Sequence, residues 1–469
     1  MKVQLLVRNG MIVTPRQSYR ASIAIDQGVI VAIGEDASLP AASEIVDAEG
    51  LHVLPGLVDD HVHFRQPGMT HKEDFLSGSR AAAAGGVTTV FDMPNTLPPV
   101  DRLEAFEQKR RLLAGHSYVD FALYAVITQD SVDQITPLAR AGAAGFKVFM
   151  GETTGYIRCP DDGVLFEALR AVAATGLRAG AHAENDLILQ HLKRKLIDQG
   201  RTDPHAHLES RPAFAEAEAI GRAICISEAA GCPFHIFHLS TKEGLAHVES
   251  AQRRCLPVTA EVLVAHLLLE ESAYSRYGNL IRLNPPIRSS DHTAALWDGL
   301  RRGVISAIAT DHAPHTLLEK TAENVWEAAS GFIGVETALP LMLTEVSKGR
   351  LSLQQYVLSN SENPARIWGV YPKKGAIQVG SDADLVLVDL QHKDVIRQSH
   401  LHSMNRITPY DGWDVQGLPR VTILRGRVIM RDGEVVGTPS GDLISPLMAG
   451  TPFRPCAGAD LTDHGTVAL

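Results

Sequence analysis

The sequence has little of what marks several classes of protein. Its five cysteines lie far apart and form no C-x-x-C pair, which excludes a disulfide framework and disfavours a thiolate zinc site. No apolar run approaches the roughly 20 residues that span a bilayer, and the N-terminus has no signal-peptide cleavage pattern. We therefore expect a cytoplasmic protein with no membrane partner.

Positive charge is also scarce. Lys and Arg total 44 against 54 Asp and Glu, which gives a net charge of −10, and the two signs are interspersed. Such a surface offers no basic patch for a phosphate backbone, so a nucleic acid partner is not expected. The sequence contains no P-loop and no G-x-G-x-x-G after a first strand, which leaves nucleotide and dinucleotide sites without support.

The middle of the chain, about 55 to 370, alternates short apolar runs with helical patterns. Gly176, Gly231 and Gly303 each follow a helical pattern, where a left-handed C-cap belongs. The strand candidates are Gly56–His63, Thr88–Asp92, Phe121–Ile127, Phe146–Met150, Arg178–Ala183, Phe234–Leu239, Val258–Val264 and Val304–Thr310. These eight βα units predict an α/β protein with a TIM-like (β/α)8 barrel, rather than an open doubly wound sheet.

The two ends of the chain have a different texture. Residues 1–54 and 371–436 contain short β-branched runs separated by Gly or Asp, such as Lys2–Val7 and Ala383–Asp389. They predict one small composite β-sandwich domain, built from both termini and attached to a catalytic barrel at residues 55–370. The proline-rich residues 437–469 are expected to form an extended C-terminal tail.

Polar residues follow the first barrel strand at its C-terminal end, where barrels of this kind place their active sites. Asp59, His61 and His63 are two residues apart, so they share one face of the strand. The two imidazoles could bind a divalent metal, and Asp59 could orient one of them. An H-x-H pair alone is a weak signal, because ordinary core or surface histidines are common.

The other strands end in a similar way. Lys147 lies inside the apolar run of the fourth strand, and His182, His238 and Asp311 lie at the ends of the fifth, sixth and eighth. A polar residue at a strand end explains any one of them. Together, five strands carry such residues at one rim of the barrel, which favours a functional site over coincidence.

Longer motifs around these residues resemble the cyclic amidohydrolases of the amidohydrolase superfamily, and most closely the dihydroorotases. The motifs are Pro55–Asp59 with His61–Arg65, Gly85–Thr89 with Met93–Thr96, Thr310–His315, and Gly334–Pro340. The resemblance covers the barrel and both β ends, and it is more specific for the superfamily than for the substrate. It implies reversible ring opening of a cyclic amide, with dihydroorotate giving N-carbamoyl-aspartate in pyrimidine metabolism.

The resemblance also implies two divalent metal ions, taken to be Zn²⁺, and no further cofactor. The ligands of one ion would be His61, His63 and Asp311, and those of the other His182 and His238. Carboxylated Lys147 would bridge both ions, because an ammonium group could not lie between two dications. The alternatives are an ordinary rim lysine paired with a carboxylate, or a bridge from Asp161 or Asp162, which resemble a segment that some dihydroorotases use.

The implied mechanism gives Asp311 the catalytic role. Two metal ions would lower the pKa of a bound water from about 15.7 towards roughly 7, which makes it a nucleophile at neutral pH. Asp311 would take the proton of this nucleophile as a base and deliver it to the leaving amide nitrogen as an acid.

Four residues are expected to bind the substrate. In dihydroorotases, the residues at the positions of Arg65, Asn95 and His315 bind the substrate carboxylate, and Asn284 matches a position that contacts the ring. The planar guanidinium of Arg65 suits a carboxylate. The other interpretation of Arg65 is a rim salt bridge with Glu73 or Asp74.

Some features depart from dihydroorotases. Gln66 stands where many have glutamate, Ala265 precedes His266 where a second histidine is common, and Gly145–Met150 is closer to hydantoinases and allantoinases. Glu152 replaces a tyrosine of hydantoinases, and Glu152–Gly155 is either a mobile substrate loop or a passive turn. Hydantoinase, dihydropyrimidinase and allantoinase activities are therefore the alternatives. A neutral ring would leave Arg65 without a partner, which favours dihydroorotate.

A remote alternative is a non-catalytic scaffold, because some relatives in this superfamily lost metal ligands and serve in assemblies. All six predicted ligands are intact here, which favours an enzyme that acts on a small-molecule cyclic amide. The resemblance also favours a homodimer or homotetramer.

Overall fold

The computed structural model describes residues 2–155, 157–447 and 453–455. The strands are β1 (Val3–Val13), β2 (Ser18–Asp26), β3 (Val29–Gly34), β4 (Ala42–Asp47), β5 (His52–Pro55), β6 (Leu57–Val62), β7 (Val87–Asp92), β8 (Asp120–Leu123), β9 (Ala125–Val126), β10 (Phe146–Phe149), β11 (Ala179–His182), β12 (Phe234–Ile236), β13 (Val258–Leu263), β14 (Ala307–Ala309), β15 (Leu385–Val395), β16 (Asp414–Leu424), β17 (Arg427–Arg431) and β18 (Glu434–Val435).

The α-helices lie mainly between the barrel strands. They are α1 (Phe75–Ala84), α2 (Leu103–Leu113), α3 (Ile135–Ala141), α4 (Asp162–Thr175), α5 (Asp186–Asp198), α6 (Pro204–Ser210), α7 (Ala213–Ala230), α8 (Lys242–Arg253), α9 (Val264–Leu268), α10 (Tyr274–Tyr277), α11 (Ser290–Arg301), α12 (Leu317–Lys320), α13 (Ala338–Ser347), α14 (Leu353–Val357) and α15 (Asn363–Ile367). The predicted left-handed C-caps Gly176 and Gly231 end α4 and α7, with φ of 77° and 67°.

The middle of the chain forms a closed barrel of parallel strands. Strands β6 to β8 pair in one parallel sheet, and β9 to β14 pair in order in a second. Strands β8 and β9 are two parts of one barrel strand, separated at Tyr124, so all eight predicted strands are present. The barrel closes where Val62 bridges His312, and the His63 backbone N donates to the His312 O at 2.8 Å. The predicted (β/α)8 barrel is confirmed.

Two barrel strands end just before a predicted metal ligand. Strand β12 ends at Ile236 and β14 at Ala309. The residues His238 and Asp311 have φ of 39° and 46°, which is the left-handed region and not the β region. The backbone therefore turns at two predicted metal ligands, and such sparsely populated conformations are typical of functional sites.

Both ends of the chain contribute to one nine-stranded sheet. The N-terminal strands β1 to β5 join the C-terminal strands β15 to β18 through antiparallel pairing of β5 with β15, in which Val53 lies opposite Leu387. Leu5, Ile23 and Leu385 belong to the buried apolar cluster of this sheet. The structure thus has the composite β unit, while the domain boundaries at residues 54 and 371 stay a prediction.

A buried ion cluster connects the barrel to this sheet. The Lys374 Nζ lies 2.7 Å from an Asp384 carboxylate oxygen and 2.8 Å from one of Asp382, and it also pairs with Asp120 at the start of β8. Although burial alone would lower it, the surrounding carboxylates raise the pKa of Lys374. The cluster therefore holds a charged lysine where the barrel meets the nine-stranded sheet.

The described part of the predicted tail lies against the barrel. Leu443 bridges Phe121, and the Arg178 Nη2 donates to the Phe453 O at 2.8 Å. Residues 448–452 and 456–469 of the predicted tail, with Cys456, lie outside the described residues. Across the part of the chain that the structure describes, no helix has the length and apolar character needed to cross a membrane.

Candidate active site

A narrow pocket lies at the C-terminal ends of the barrel strands. Nine of the ten predicted site residues line it, and His315 does not. The lining residues are His61, His63, Arg65, Asn95, Lys147, Phe149, Glu152, Thr153, Thr154, His182, His238, Leu283, Asn284, Asp311, Ala313 and Ser330. Folding of the barrel therefore brings together residues that are up to about 270 positions apart in the sequence.

Three predicted ligands form one group within this pocket. The Nε2 atoms of His61 and His63 lie 3.3 Å and 3.0 Å from Asp311 Oδ1. These atoms are close enough to share one metal ion. Burial lowers the pKa of both histidines, and the neutral imidazole is the form that binds metals.

The other ring nitrogen of each histidine has an outer partner. His61 Nδ1 lies 2.5 Å from Glu261 Oε1, and His63 Nδ1 lies 2.8 Å from Asn95 Oδ1. A proton on each Nδ1 would leave each Nε2 lone pair directed at Asp311. The sequence reasoning missed Glu261, although an acidic residue inside the apolar strand β13 was an available signal.

Asp59 does not orient a histidine ring, contrary to the role that the sequence suggested. Its carboxylate accepts from the backbone N of His61 at 3.3 Å and from the backbone N of Thr310 at 3.2 Å. It therefore connects β6 to the end of β14. A strand pattern shows which face a side chain occupies, but it does not show which neighbour the side chain reaches.

The second predicted pair also converges. His182 Nδ1 lies 2.9 Å from His238 Nε2, and His182 Nε2 lies 2.8 Å from Glu184 Oε2. Although burial alone would raise it, Arg211 and His182 lower the pKa of Glu184 to about 2. The ionised carboxylate can thus hold the proton on His182 Nε2, which leaves Nδ1 as the metal-binding nitrogen.

Lys147 lies fully buried at the same rim. Its Nζ is 3.6 Å from the centroid of the Phe237 ring and has no hydrogen-bond partner among the described residues. Burial lowers the pKa of Lys147 to about 7. The structure therefore pairs it with no carboxylate among the described residues, and an unpartnered amine whose pKa burial lowers to near neutrality fits a lysine that becomes carboxylated between metal ions.

Asp161 and Asp162, the alternative source of a bridge, are exposed and do not line the pocket. Asp161 accepts from the Val164 backbone N at 2.9 Å as the N-cap of α4, and Asp162 pairs with Arg222 at 2.5 Å. Their placement gives no support to a metal-bridging role.

Arg65 lies beside the metal-ligand groups. It is 2% exposed, and its Nε donates to the Pro314 O at 3.3 Å. Within the described ranges it forms no salt bridge, and Asp74 caps α1 instead. Burial lowers the pKa of Arg65 to about 10, so the guanidinium stays charged at neutral pH. The pocket thus contains a cation that no carboxylate of the described residues neutralises at short range.

Asn95 and the loop after β10 form another part of the pocket wall. The Asn95 Nδ2 donates to the Thr154 O at 3.1 Å, so Asn95 connects this loop to His63. Glu152 lies at the rim, where Lys193 Nζ donates to it at 2.9 Å. Asn284 lies 3.1 Å from the Ser330 Oγ.

A larger cavity, of about 790 Å³, lies at the opposite end of the barrel next to Leu177, Trp368 and Phe453. The described residues that line it include no histidine, cysteine, aspartate or glutamate. Although this cavity is larger than the narrow pocket, its lining therefore does not suggest a competing metal site.

Comparisons with known proteins agree with this geometry. The sequence matches the amidohydrolase family over residues 52–429. An allantoinase of Rubrobacter xylanophilus is 40% identical over 94% of this chain and 97% of its own length. A dihydroorotase of Methanothermobacter thermautotrophicus is 41% identical over 88% of this chain and 92% of its own. The structure of an L-hydantoinase (dihydropyrimidinase) from Arthrobacter aurescens matches with a TM-score of 0.92 and 36% identity, covering 94% of this chain and 100% of that one.

These relatives share the hydrolysis of a cyclic amide and differ in its ring, so the comparisons leave the specific substrate open. Enzymes of the family depend on metal ions, and the group of His61, His63 and Asp311 could hold one here. The chain belongs to the amidohydrolase family and is a cyclic amide hydrolase that acts on a small molecule.

Proposed function

We propose that the chain is a dihydroorotase, which opens the ring of dihydroorotate reversibly to N-carbamoyl-aspartate. The observation that carries this proposal is the buried Arg65 guanidinium, which lines the pocket without a carboxylate partner in the described residues. Dihydroorotate carries a carboxylate on its ring, whereas dihydrouracil and hydantoin carry none. A buried charge is costly without a partner, so the substrate carboxylate would supply what Arg65 lacks.

We assign the metal ligands as the sequence predicted them. His61, His63 and Asp311 would hold one divalent ion, His182 and His238 the second, and carboxylated Lys147 would bridge them. Carboxylation joins the neutral Lys147 nitrogen to the carbon of carbon dioxide and releases one proton. Imidazole and carboxylate ligands suit Zn²⁺. When bound, the ions would polarise a ring carbonyl and lower the pKa of an attacking water.

The side chains then have separate tasks. Asp311 would hold the proton of the attacking water on a carboxylate oxygen and pass it to the leaving ring nitrogen. Glu261 and Asn95 would hold the His61 and His63 rings in place. Arg65, Asn95 and Asn284 would orient the substrate ring, and we propose that His315 does so through its contact with Arg65.

The second candidate is hydrolysis of a neutral ring by a hydantoinase, dihydropyrimidinase or allantoinase. The similarity to the hydantoinase structure and to the allantoinase supports it. The scaffold alternative would require loss of metal binding. We also propose that the protein is cytoplasmic and forms a homodimer or homotetramer. Light scattering would test the oligomeric state.

The deciding experiment compares four rings with the zinc-loaded protein. Opening of dihydroorotate, dihydrouracil, hydantoin and allantoin is followed by loss of ultraviolet absorbance, for the wild type, Arg65→Met and the exposed control Arg102→Met. We expect dihydroorotate to react fastest. Arg65→Met should lower its kcat/KM about 100-fold, since a charge-assisted bidentate contact is lost. If a neutral ring reacts fastest and Arg65→Met has little effect, the dihydroorotase assignment is wrong.

A further inference from the structure

A chain of three buried or half-buried side chains, His315, Lys72 and Glu319, lies behind Arg65. Lys72 Nζ lies 2.7 Å from Glu319 Oε1 and 3.0 Å from His315 Nδ1. His315 Nε2 lies 2.9 Å from the Ser330 O and 3.1 Å from Arg65 Nη2. Lys72 and His315 are 8% and 4% exposed, so solvent hardly competes for these contacts.

The position of the His315 proton follows from the chemistry of its neighbours. An ammonium group can only donate hydrogen bonds, so the Nδ1 that faces Lys72 must be the acceptor. A neutral imidazole then carries its proton on Nε2, and this N–H can donate to the Ser330 O. His315 is therefore a donor on the side that faces Arg65.

A donor on His315 changes what Arg65 can bind. The Arg65 Nη2 also carries only donors, so its contact with His315 Nε2 is not a hydrogen bond. Among the described residues, the remaining polar contact of the guanidinium is the one from Nε to the Pro314 O. Both terminal nitrogens of Arg65 thus keep N–H groups that no protein acceptor uses.

We propose that Lys72 is a positioning residue: it fixes the His315 proton on Nε2 and so keeps the Arg65 guanidinium available for a carboxylate on the substrate ring. This inference rests on the proposed function for the identity of that ring. Without Lys72, the His315 proton can move to Nδ1. The Nε2 lone pair would then accept from Arg65 Nη2, and the protein itself would occupy the donor that the substrate needs.

The direct test is the tautomer of His315. Zinc-loaded protein labelled with nitrogen-15 at its 20 histidines is compared with Lys72→Met, Lys72→Arg and the exposed control Lys348→Met, and His315→Gln identifies the resonance. We expect the Nε2–H tautomer in the wild type, Lys72→Arg and Lys348→Met, and a shift towards Nδ1–H in Lys72→Met. A purely electrostatic or structural role of Lys72 would leave the tautomer unchanged. An unchanged tautomer in Lys72→Met would overturn the inference.

The kinetic test uses the same variants with dihydroorotate and dihydrouracil. Lys72→Met should raise the KM for dihydroorotate about tenfold, leave kcat and the dihydrouracil reaction nearly unchanged, and be rescued by Lys72→Arg. Equal effects on both rings would contradict a role in carboxylate binding. If the wild type does not hydrolyse dihydroorotate, the proposed function is wrong, and the nitrogen-15 spectra still decide whether Lys72 sets the tautomer.

Discussion

The Lys147 Nζ lies 3.6 Å from the centroid of the Phe237 ring, deep in a barrel that offers it no hydrogen-bond acceptor among the described residues. A cation–π contact offsets only a small part of the cost of burying an ammonium group. The site therefore disfavours the charged lysine and favours the neutral amine. This relationship connects the fold of the barrel to the chemistry that a carboxylated lysine requires.

Replacing Lys147 should stabilise the metal-free protein while abolishing metal binding at the bridge. At pH 7, Lys147→Met should raise the free energy of unfolding by about 2–4 kcal/mol in urea titrations, because it removes a buried charge. The folded pKa of about 7 lies below the unfolded value of 10.5. The difference in the free energy of unfolding between the variant and the wild type should thus be largest below pH 7 and should disappear as the pH rises towards 10.5. A difference that grows with pH would contradict this account.

The opposite sign is expected for a buried lysine that has partners. Lys374→Met should lower the free energy of unfolding by about 3–5 kcal/mol, because it leaves the carboxylates of Asp382 and Asp384 buried without their cation. The same urea titrations provide the measurement. The exposed Lys195→Met, whose side chain forms no ion pair among the described residues, should change the free energy of unfolding by less than about 0.5 kcal/mol and serves as the control for both variants. If Lys374→Met were as stable as the wild type, the cluster would not be what holds the barrel and the nine-stranded sheet together.

Glu261 should control metal affinity without touching the metal. Glu261→Gln keeps the shape of the side chain but replaces the carboxyl group that faces His61 Nδ1 with a weaker acceptor, and loss of such an outer partner typically lowers metal affinity 10- to 100-fold. Competition with a chromophoric chelator measures this change. The control Glu249→Gln alters an ion pair on the far surface of α8 and should leave affinity unchanged. Equal affinity in both variants would exclude this role for Glu261.

Removal of metal should distinguish a metal-dependent enzyme from a non-catalytic scaffold. Dialysis against a chelator should abolish ring opening, and added Zn²⁺ should restore it together with about two ions per chain by mass spectrometry. At metal concentrations 100 times the Kd, binding should also add about 2.7 kcal/mol to the free energy of unfolding. Retention of full activity without metal, or the absence of stoichiometric metal in the purified protein, would refute the proposed site.

The sequence predicted most of the polar residues that line the pocket because barrel strands carry local signals. His61 and His63 were found from their spacing, and Lys147 from its presence in an apolar run. The role of Asp59 was predicted wrongly, and Glu261 was missed, because each depends on a neighbour from a distant strand. His315 was expected in the pocket, but the contacts of its ring place it behind Arg65.

The sequence by itself determined the (β/α)8 barrel, the joining of the two termini in one sheet, and the types of residue at the strand ends. These follow from short-range periodicity and from residue chemistry. Tertiary structure decided which nitrogen of each histidine faces its neighbours, and it gave Lys147 and Arg65 no counter-ion at short range among the described residues. The physical reason is that such contacts join residues far apart in the chain. His61 and Glu261, for example, are separated by 200 positions and meet only when the barrel closes.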